Sequence, residues 1–178
     1  MGEDCLVLFY SWSGNTRRVA QMIAQQTHGD LLELRPRHPY PEEYSMTVKR
    51  ARGEIQKKNY PELCPLELDV ANYKTLFVGT PNWCGTVAPP VVSFLKEFMP
   101  TEKNIIPFCT HGGGGSGDIT KRIAYYCIGC DVFPLLALRD DGGADAEKAV
   151  ERWLEQVKHT AALWYHERQL REGEPYAE

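Results

Sequence analysis

The sequence has no long hydrophobic run. Its 178 residues contain no apolar stretch that approaches the roughly 20 residues needed to cross a bilayer, because glycine, proline or charge interrupts each candidate. We therefore expect no membrane role. The first four residues, MGED, also lack the basic region and apolar stretch of a secretory signal, which predicts a cytoplasmic protein.

The sequence also has little net charge. Its 20 Lys and Arg residues and 24 Asp and Glu residues give a formal charge of -4, and no basic block accumulates on any segment. The electrostatic signature of a nucleic-acid-binding protein is therefore missing, and we expect no such partner. With 43% hydrophobic and 25% charged residues, the composition is typical of a globular protein. The length predicts one domain over residues 1–178.

The six cysteines do not suggest a disulfide framework, because a cytoplasmic chain with an ample core keeps its thiols reduced. Cys5 and Cys109 lie in apolar, strand-like runs and are predicted to be core residues. Cys127 and Cys130 have the spacing of a redox pair, but they follow a predicted helix instead of beginning one, where a thiolate would be stabilised. We favour a structural role for this pair.

Five apolar, β-prone segments alternate with helical patterns along the chain. The strands are predicted at residues 6–10, 31–34, 75–79, 105–109 and 132–138, with the third ending at Thr80-Pro81. Helices are predicted from Thr16 to a glycine stop at His28-Gly29, over 42–58, after Pro89-Pro90, over 118–126 with Ser116 or Asp118 as the cap, and from about Ala144. Unbroken apolar strands that alternate with helices predict an α/β fold with a doubly wound, five-stranded parallel sheet.

In such a sheet, ligands bind beyond the carboxyl ends of the strands, where the strand order reverses. The segment after the first strand, SWSGNT at residues 11–16, places three hydroxyls and a glycine before a helix amino terminus. Unpaired amides and the helix dipole there attract an anion, which predicts a phosphate site. A simple helix cap is the alternative, but a cap needs one hydroxyl and this loop has three.

Of two other nucleotide motifs, the Walker loop is excluded and the dinucleotide fingerprint is disfavoured. A Walker loop requires a Gly-Lys-Ser/Thr ending, and residues 11–16 contain no lysine. Gly112, Gly114 and Gly117 have the spacing of the dinucleotide fingerprint, but they follow the fourth strand and no acidic residue ends a strand about 20 residues later. Arg17 and Arg18 begin the first predicted helix and are predicted to be solvated surface charges, with phosphate contact as the alternative.

Three segments together resemble the flavin-contacting loops of the flavodoxin family. They read YSWSGNT at 10–16, GTPNWCGT at 79–86 and PFCTHGGGGSG at 107–117, in the family's order, and the resemblance covers nearly the whole chain. The second segment is most similar to a bacterial group that usually has Asn-Trp-Trp-Gly-Thr there, so Cys84 replaces a tryptophan. We call residues 11–16 loop one, 81–85 loop two and 110–117 loop three.

The resemblance implies a flavodoxin-like sheet with strand order 2-1-3-4-5 and noncovalently bound FMN. Loop one would hold the FMN phosphate, loop two would line the isoalloxazine with Trp83 stacked on it, and loop three would wrap its pyrimidine side. His111 would donate a hydrogen bond to the reduced flavin near N1 and O2, although a plain surface role is the alternative. The implied cofactor-binding residues are Ser11, Trp12, Ser13, Gly14, Asn15, Thr16, Pro81, Asn82, Trp83, Cys84, Gly85, Thr110, His111, Gly112, Gly113, Ser116 and Gly117.

The resemblance implies electron transfer, with a redox partner protein or a small-molecule electron acceptor. A NAD(P)H-dependent flavin reductase of a small substrate such as a quinone is the alternative, and a passive flavin binder is a third. A charge of -4 would steer partners only weakly, and loop three with its histidine favours a stabilised reduced flavin. No residue is predicted to act as catalytic acid, base or nucleophile, since the flavin itself carries the electrons.

Overall fold

The computed structural model describes residues 5–98 and 100–172, with side chains to residue 166. Strands and helices alternate through this part of the chain. The strands are β1 (Cys5–Phe9), β2 (Asp30–Glu33), β3 (Thr75–Trp83), β4 (Thr86–Val87), β5 (Asn104–His111), β6 (Asp131–Val132) and β7 (Leu136–Arg139). The helices are α1 (Asn15–Thr27), α2 (Tyr44–Lys57), α3 (Pro89–Phe98), α4 (Ile119–Tyr126) and α5 (Ala146–Glu172), with short 3-10 turns at Val70–Asn72 and Gly143–Asp145.

The central sheet is parallel and has the order β2-β1-β3-β5, with β6 and β7 both paired to β5. The prediction of a flavodoxin-like sheet with order 2-1-3-4-5 is therefore confirmed. The sheet differs in two details from the five parallel strands that were predicted. Strand β4 forms an antiparallel hairpin with β3, and the fifth position is shared by β6 and β7. Strand order reverses at β1 and β3, so the carboxyl ends of those strands flank the expected ligand crevice.

The fifth position is divided by a bulge at Pro134. Val132 pairs with Ile105 of β5, but Leu136 pairs with Phe108, so three residues face two on the partner strand. Pro134 has no amide to donate to the ladder, and its carbonyl instead accepts a hydrogen bond of 2.9 Å from the indole of Trp153. The prediction of one continuous strand over 132–138 was wrong for this reason.

Strand β3 extends to Trp83, beyond its predicted end at Thr80-Pro81. The carbonyl of Gly79 accepts a hydrogen bond from Tyr10 on the β1 side, and the backbone of Pro81 faces the same side two residues later. Strand β1 ends at Phe9, so the missing amide of Pro81 interrupts no ladder. The opposite edge of β3 stays paired with β5 as far as Pro81 and Thr110.

Helices cover both faces of the sheet, as the unbroken apolar strands predict. Alternate residues of β1 enter two separate cores: Leu6 and Leu8 pack with α2, α3 and α4, whereas Val7 and Phe9 pack with α1 and α5. All four of these side chains are at most 1% exposed. In the described part of the chain, no helix is both long and apolar enough to cross a membrane.

Two predicted helix ends differ in detail. Helix α1 ends with His28 in the left-handed conformation (φ 55°), and not with Gly29. A glycine is needed at position 29 for a different reason, because an added Cβ would lie only 2.6 Å from the sulfur of Cys5. Neither Ser116 nor Asp118 caps α4 through its side chain; the carbonyl of Ser116 accepts from Ile119 and the amide of Asp118 donates to Gly85.

Candidate functional site

Loop one leaves β1 as a tight turn that leads into α1. Ser11 is buried, and its hydroxyl accepts a hydrogen bond of 3.2 Å from the amide of Gly14. Gly14 has φ 95°, a left-handed conformation that residues with a Cβ rarely adopt, and it precedes the helix as its cap. The turn therefore depends on both the serine hydroxyl and the glycine.

Several amides of loop one have no acceptor. Helix α1 has no side-chain cap, and within the described residues the following backbone N–H groups donate no hydrogen bond to the protein: Trp12, Ser13, Asn15 and Thr16. Such groups at a helix amino terminus attract an anion through their partial positive charge. Ser13 is exposed beside them and can add a hydroxyl donor. The loop has the donor set of a phosphate site.

Loop one and loop three are joined by a buried hydrogen bond. The hydroxyls of Thr16 and Thr110 lie 2.8 Å apart, and the two residues are 1% and 3% exposed. One hydroxyl donates in this pair, so the proton of the other remains available to a ligand. Both threonines were predicted to contact the cofactor, and the structure places them side by side.

Loop two is the turn of the β3–β4 hairpin. Asn82 and Trp83 pair with Val87 and Thr86, which leaves Cys84 and Gly85 as the two turn residues. Their φ angles are 56° and 82°, and two positive values are typical of the type I′ turn that suits a two-residue hairpin. Cys84 is exposed at the tip.

Trp83 is held from within the protein. Its ring makes edge-on contacts with Tyr10 and Tyr40, at centroid distances of 5.5 and 4.8 Å. The ring is only half-buried by these contacts, so part of it remains accessible. Trp83 is thus partly a packing residue, while its stacking on a flavin stays a prediction.

Tyr40 belongs to a polar network that the sequence did not indicate. Its hydroxyl donates to Glu54, which also accepts a hydrogen bond of 2.8 Å from Arg50. The Arg50 guanidinium lies 4.1 Å from the Tyr40 ring centroid and donates to the carbonyl of Pro39. Burial, and then the hydrogen bond to Glu54, raise the pKa of Tyr40, and burial likewise raises that of Tyr10. Both tyrosines are neutral supports for Trp83.

Loop three is bound to loop two by its backbone. The Asn82 side-chain amide donates to the carbonyl of Gly115 at 2.6 Å, and the amide of Asp118 donates to the carbonyl of Gly85 at 2.8 Å. At Gly117, with φ 54°, an added Cβ would lie 1.9 Å from the Gly85 carbonyl oxygen. A glycine is therefore required where the two loops meet.

His111 ends β5 and is half-exposed. Its Nδ1 accepts a hydrogen bond of 3.1 Å from the amide of Gly113. In the neutral ring the proton is then on Nε2, which can donate to a ligand. Its predicted contact with reduced flavin stays a prediction.

The predicted site residues come together at one edge of the sheet, while the other candidates lie elsewhere. Arg17 pairs with Glu33 and Arg18 with Asp141, so both are surface charges, as predicted.

Cys127 and Cys130 lie before β6, which pairs with the start of β5 at the opposite edge. Burial raises the pKa of the Cys127 thiol to about 12, and the thiol of Cys130 donates to the carbonyl of Pro100. These contacts support the structural role.

Comparison with known proteins gives a family that agrees with this arrangement. The family model described as Flavodoxin matches residues 4–157. The chain belongs to the flavodoxin family. No curated protein is significantly similar to it in sequence.

Solved flavodoxin-like structures share the architecture. The chain is similar to a flavoprotein from Lactobacillus acidophilus NCFM solved in complex with FMN, with 26% identity over 85% of this chain and 98% of that one and a TM-score of 0.69. The apo-form of that flavoprotein aligns over 84% of this chain and 98% of its own with 27% identity and a TM-score of 0.60. Oxidised flavodoxin 2 from Bacillus cereus, at 12% identity, covers 89% and 99% of the two chains with a TM-score of 0.55 and shows the fold alone.

Proposed function

We propose that this flavodoxin-family protein binds FMN at the edge formed by loops one, two and three, and functions in electron transfer. The observation that carries the proposal is the set of amides in loop one without an acceptor, next to loops two and three. The similarity to a flavoprotein that was solved with FMN supports it.

The residues present fit this cofactor. The amides of Ser13, Asn15 and Thr16 suit a phosphate, and these neutral donors are the type expected in such a loop. Loop two offers the accessible part of Trp83, and loop three offers glycine backbone and the Nε2 of His111. When bound, FMN supplies the redox chemistry, and the protein positions it, donates hydrogen bonds to it and shields part of it from water.

The acceptor of the electrons is a protein partner or a small molecule. One observation favours the other candidate function, that of an NAD(P)H-dependent reductase. A small cavity adjoins loops one and two and is lined in part by Asn82 and Cys84. A docking surface for a protein does not need such a cavity, whereas a small substrate does.

Phosphate recognition tests the proposal. We expect the protein to bind FMN at least about a hundredfold more tightly than riboflavin, because several charge-assisted hydrogen bonds are lost without the phosphate. Ser13→Ala should weaken FMN binding about tenfold and leave riboflavin binding unchanged. Calorimetric or fluorescence titration of FMN-free protein measures both.

Ser45→Ala is the matched control, because Ser45 is an exposed serine of α2 whose hydroxyl donates to Glu43, the residue before that helix. Equal affinity for FMN and riboflavin would remove the phosphate assignment. An equal effect of Ser13→Ala on both ligands would show that Ser13 acts on the fold of loop one and not on phosphate.

A further inference from the structure

A cavity of about 180 Å³ lies between the first turns of α2 and loops one and two. Its walls include Trp12 and Tyr44 on one side and Asn82, Trp83 and Cys84 on the other. Pockets for drug-sized ligands have volumes of roughly 300 to 1,000 Å³, so this one suits a ligand of one or two rings and excludes a dinucleotide. Loop three, which the structure describes in full, contributes no residue to it.

Three aromatic rings line the cavity, and two of them are fixed from outside it. The indole of Trp12 donates a hydrogen bond of 3.0 Å to the carbonyl of Pro41, and Trp83 rests on Tyr10 and Tyr40. The third ring, Tyr44, lies 6.3 Å from that of Trp12 and is 71% exposed. Preorganised rings such as these favour a flat ligand, which can stack on them at little conformational cost.

Arg52 gives the cavity its charge. Of the described residues that line the cavity, it alone has a charged side chain, and its guanidinium forms no hydrogen bond or ion pair within the described part of the chain. Arg50, two positions earlier, is by contrast held by Glu54. Helix α2 as a whole carries four basic side chains and one acidic one, although the chain has a net charge of -4. Glu42 and Glu43 precede the helix, but the segment 42–58 still has five basic and three acidic side chains, so the local field favours an anion.

We propose that this cavity binds a planar aromatic anion of one or two rings, next to the flavin site. Trp12, Tyr44 and Trp83 would contact the ring, and Arg52 would pair with a carboxylate, sulfonate or similar group. The proposal rests on the FMN site proposed above but goes beyond it, because five of the nine residues that line the cavity lie on α2, outside the three loops. Four residues belong to both sites, so the two ligands would be neighbours: Trp12, Asn82, Trp83 and Cys84.

Titration of the FMN-loaded protein with a matched pair of probes tests the proposal. The probes are 2-naphthalenesulfonate and the uncharged naphthalene-2-sulfonamide, and calorimetry measures the binding of each. We expect saturable binding, with the sulfonate at least about tenfold tighter. Arg52→Gln should abolish that preference, while Arg52→Lys retains part of it. Tyr44→Ala should weaken both probes by a similar factor.

Each variant has a control with the same chemical change. Lys57→Gln removes another basic residue of α2 that is exposed, and Tyr125→Ala removes another tyrosine that is 67% exposed. Neither residue lines the cavity, so both controls should bind like the parent. Circular dichroism of Tyr44→Ala and Arg52→Gln checks that the variants fold.

Equal affinity for the two probes, or equal behaviour of Arg52→Gln and Lys57→Gln, would overturn the anion assignment. Absence of saturable binding would overturn the site itself. The titration is repeated on FMN-free protein: binding there but not in the loaded protein would mean that the flavin occupies the cavity, which also overturns the proposal. Failure of FMN to bind would be seen separately, in the FMN titration.

Discussion

Cys84 has a Cβ at a position where the backbone favours glycine. Its φ of 56° places it in the left-handed region, which costs a residue with a side chain about 1 to 2 kcal/mol. Glycine avoids this cost but loses more entropy on folding. We expect Cys84→Gly to raise the free energy of unfolding by about 0.5 to 1 kcal/mol, measured by urea denaturation.

Cys84→Ala is the control for this substitution. It removes the thiol but keeps the Cβ, so its stability should stay close to that of the parent. If Cys84→Gly proves less stable than Cys84→Ala, the left-handed conformation is not the dominant factor at this turn.

Thr86 and Thr80 form a natural pair for testing buried hydroxyls. The hydroxyl of Thr86 is buried without a partner among the described residues, whereas that of Thr80 accepts from the amide of Ala88 and donates to the carbonyl of Pro81. We expect Thr86→Val to stabilise the FMN-free protein by about 1 kcal/mol, because no hydrogen bond is lost and an unpaired polar group is removed. Thr80→Val should destabilise it by about 1 to 3 kcal/mol.

Thermal or urea unfolding of both threonine variants measures the difference. A loss of stability in Thr86→Val would show that its hydroxyl has a partner in solution. If that loss occurred only with FMN present, the partner would be the cofactor.

At the scale of elements, loops two and three function as one unit at the ligand edge. Loop three closes on loop two at Gly117, where φ is 54° and a Cβ would overlap the Gly85 carbonyl. Gly117→Ala should therefore lower the free energy of unfolding by about 2 kcal/mol and weaken FMN binding, because loop three must move away from loop two. Urea denaturation and FMN titration measure the two effects.

Gly114→Ala is the matched substitution in the same loop, since a Cβ there meets no atom within 4 Å. It should leave stability and FMN affinity nearly unchanged. Similar effects of the two alanines would argue that general stiffening of the loop matters, and not the contact with loop two.

Helix α2 shows how an element takes on a role beyond covering the sheet. Its buried residues are Thr47 and Ala51, which pack against the core. The rest of its surface supports Trp83 through the Glu54 and Arg50 contacts with Tyr40, and lines a cavity with Arg52. The sequence predicts only a helix over 42–58 here, because the polar residues of this segment have no motif spacing.

For the whole molecule, burial of thiols makes stability depend on alkaline pH. Burial raises the pKa of Cys109 and of Cys127 to about 12, from an ordinary value of 9.0. Above pH 9 the unfolded chain loses these protons while the folded chain retains them, so the stability present at neutral pH decreases as pH rises toward 12. Each thiol should account for a loss of about 1 kcal/mol between pH 8 and pH 10.

Urea denaturation at these two pH values, under reducing conditions, measures the effect. Cys109→Ala and Cys127→Ala should each make the decrease smaller, although both lower stability at pH 8 by leaving space in the core. Cys64→Ala, a partly exposed thiol, should leave the decrease unchanged. An identical pH dependence in all four proteins would contradict the assignment to buried thiols.

Most of the fold was predictable because its signals are local. The apolar runs of β1, β3 and β5 and the intervening helical patterns predict a parallel sheet, and the order follows from the family resemblance. The errors in the strands occurred at prolines. Pro81 was predicted to end a strand, but its missing N–H lies on the open side of β3 and breaks no ladder. The bulge at Pro134 involves a contact with Trp153, which is 19 residues away.

The sequence by itself determined the sheet, the flavodoxin family and the anion-attracting turn of loop one, because periodicity, turn residues and helix ends act over a few neighbouring residues. Tertiary structure alone decided which of those residues touch. The hydroxyls of Thr16 and Thr110 pair across 94 positions, and Tyr40 meets Glu54, Arg50 and Trp83 only after α2 packs on the sheet. Such contacts depend on how distant segments pack together, so no local pattern encodes them.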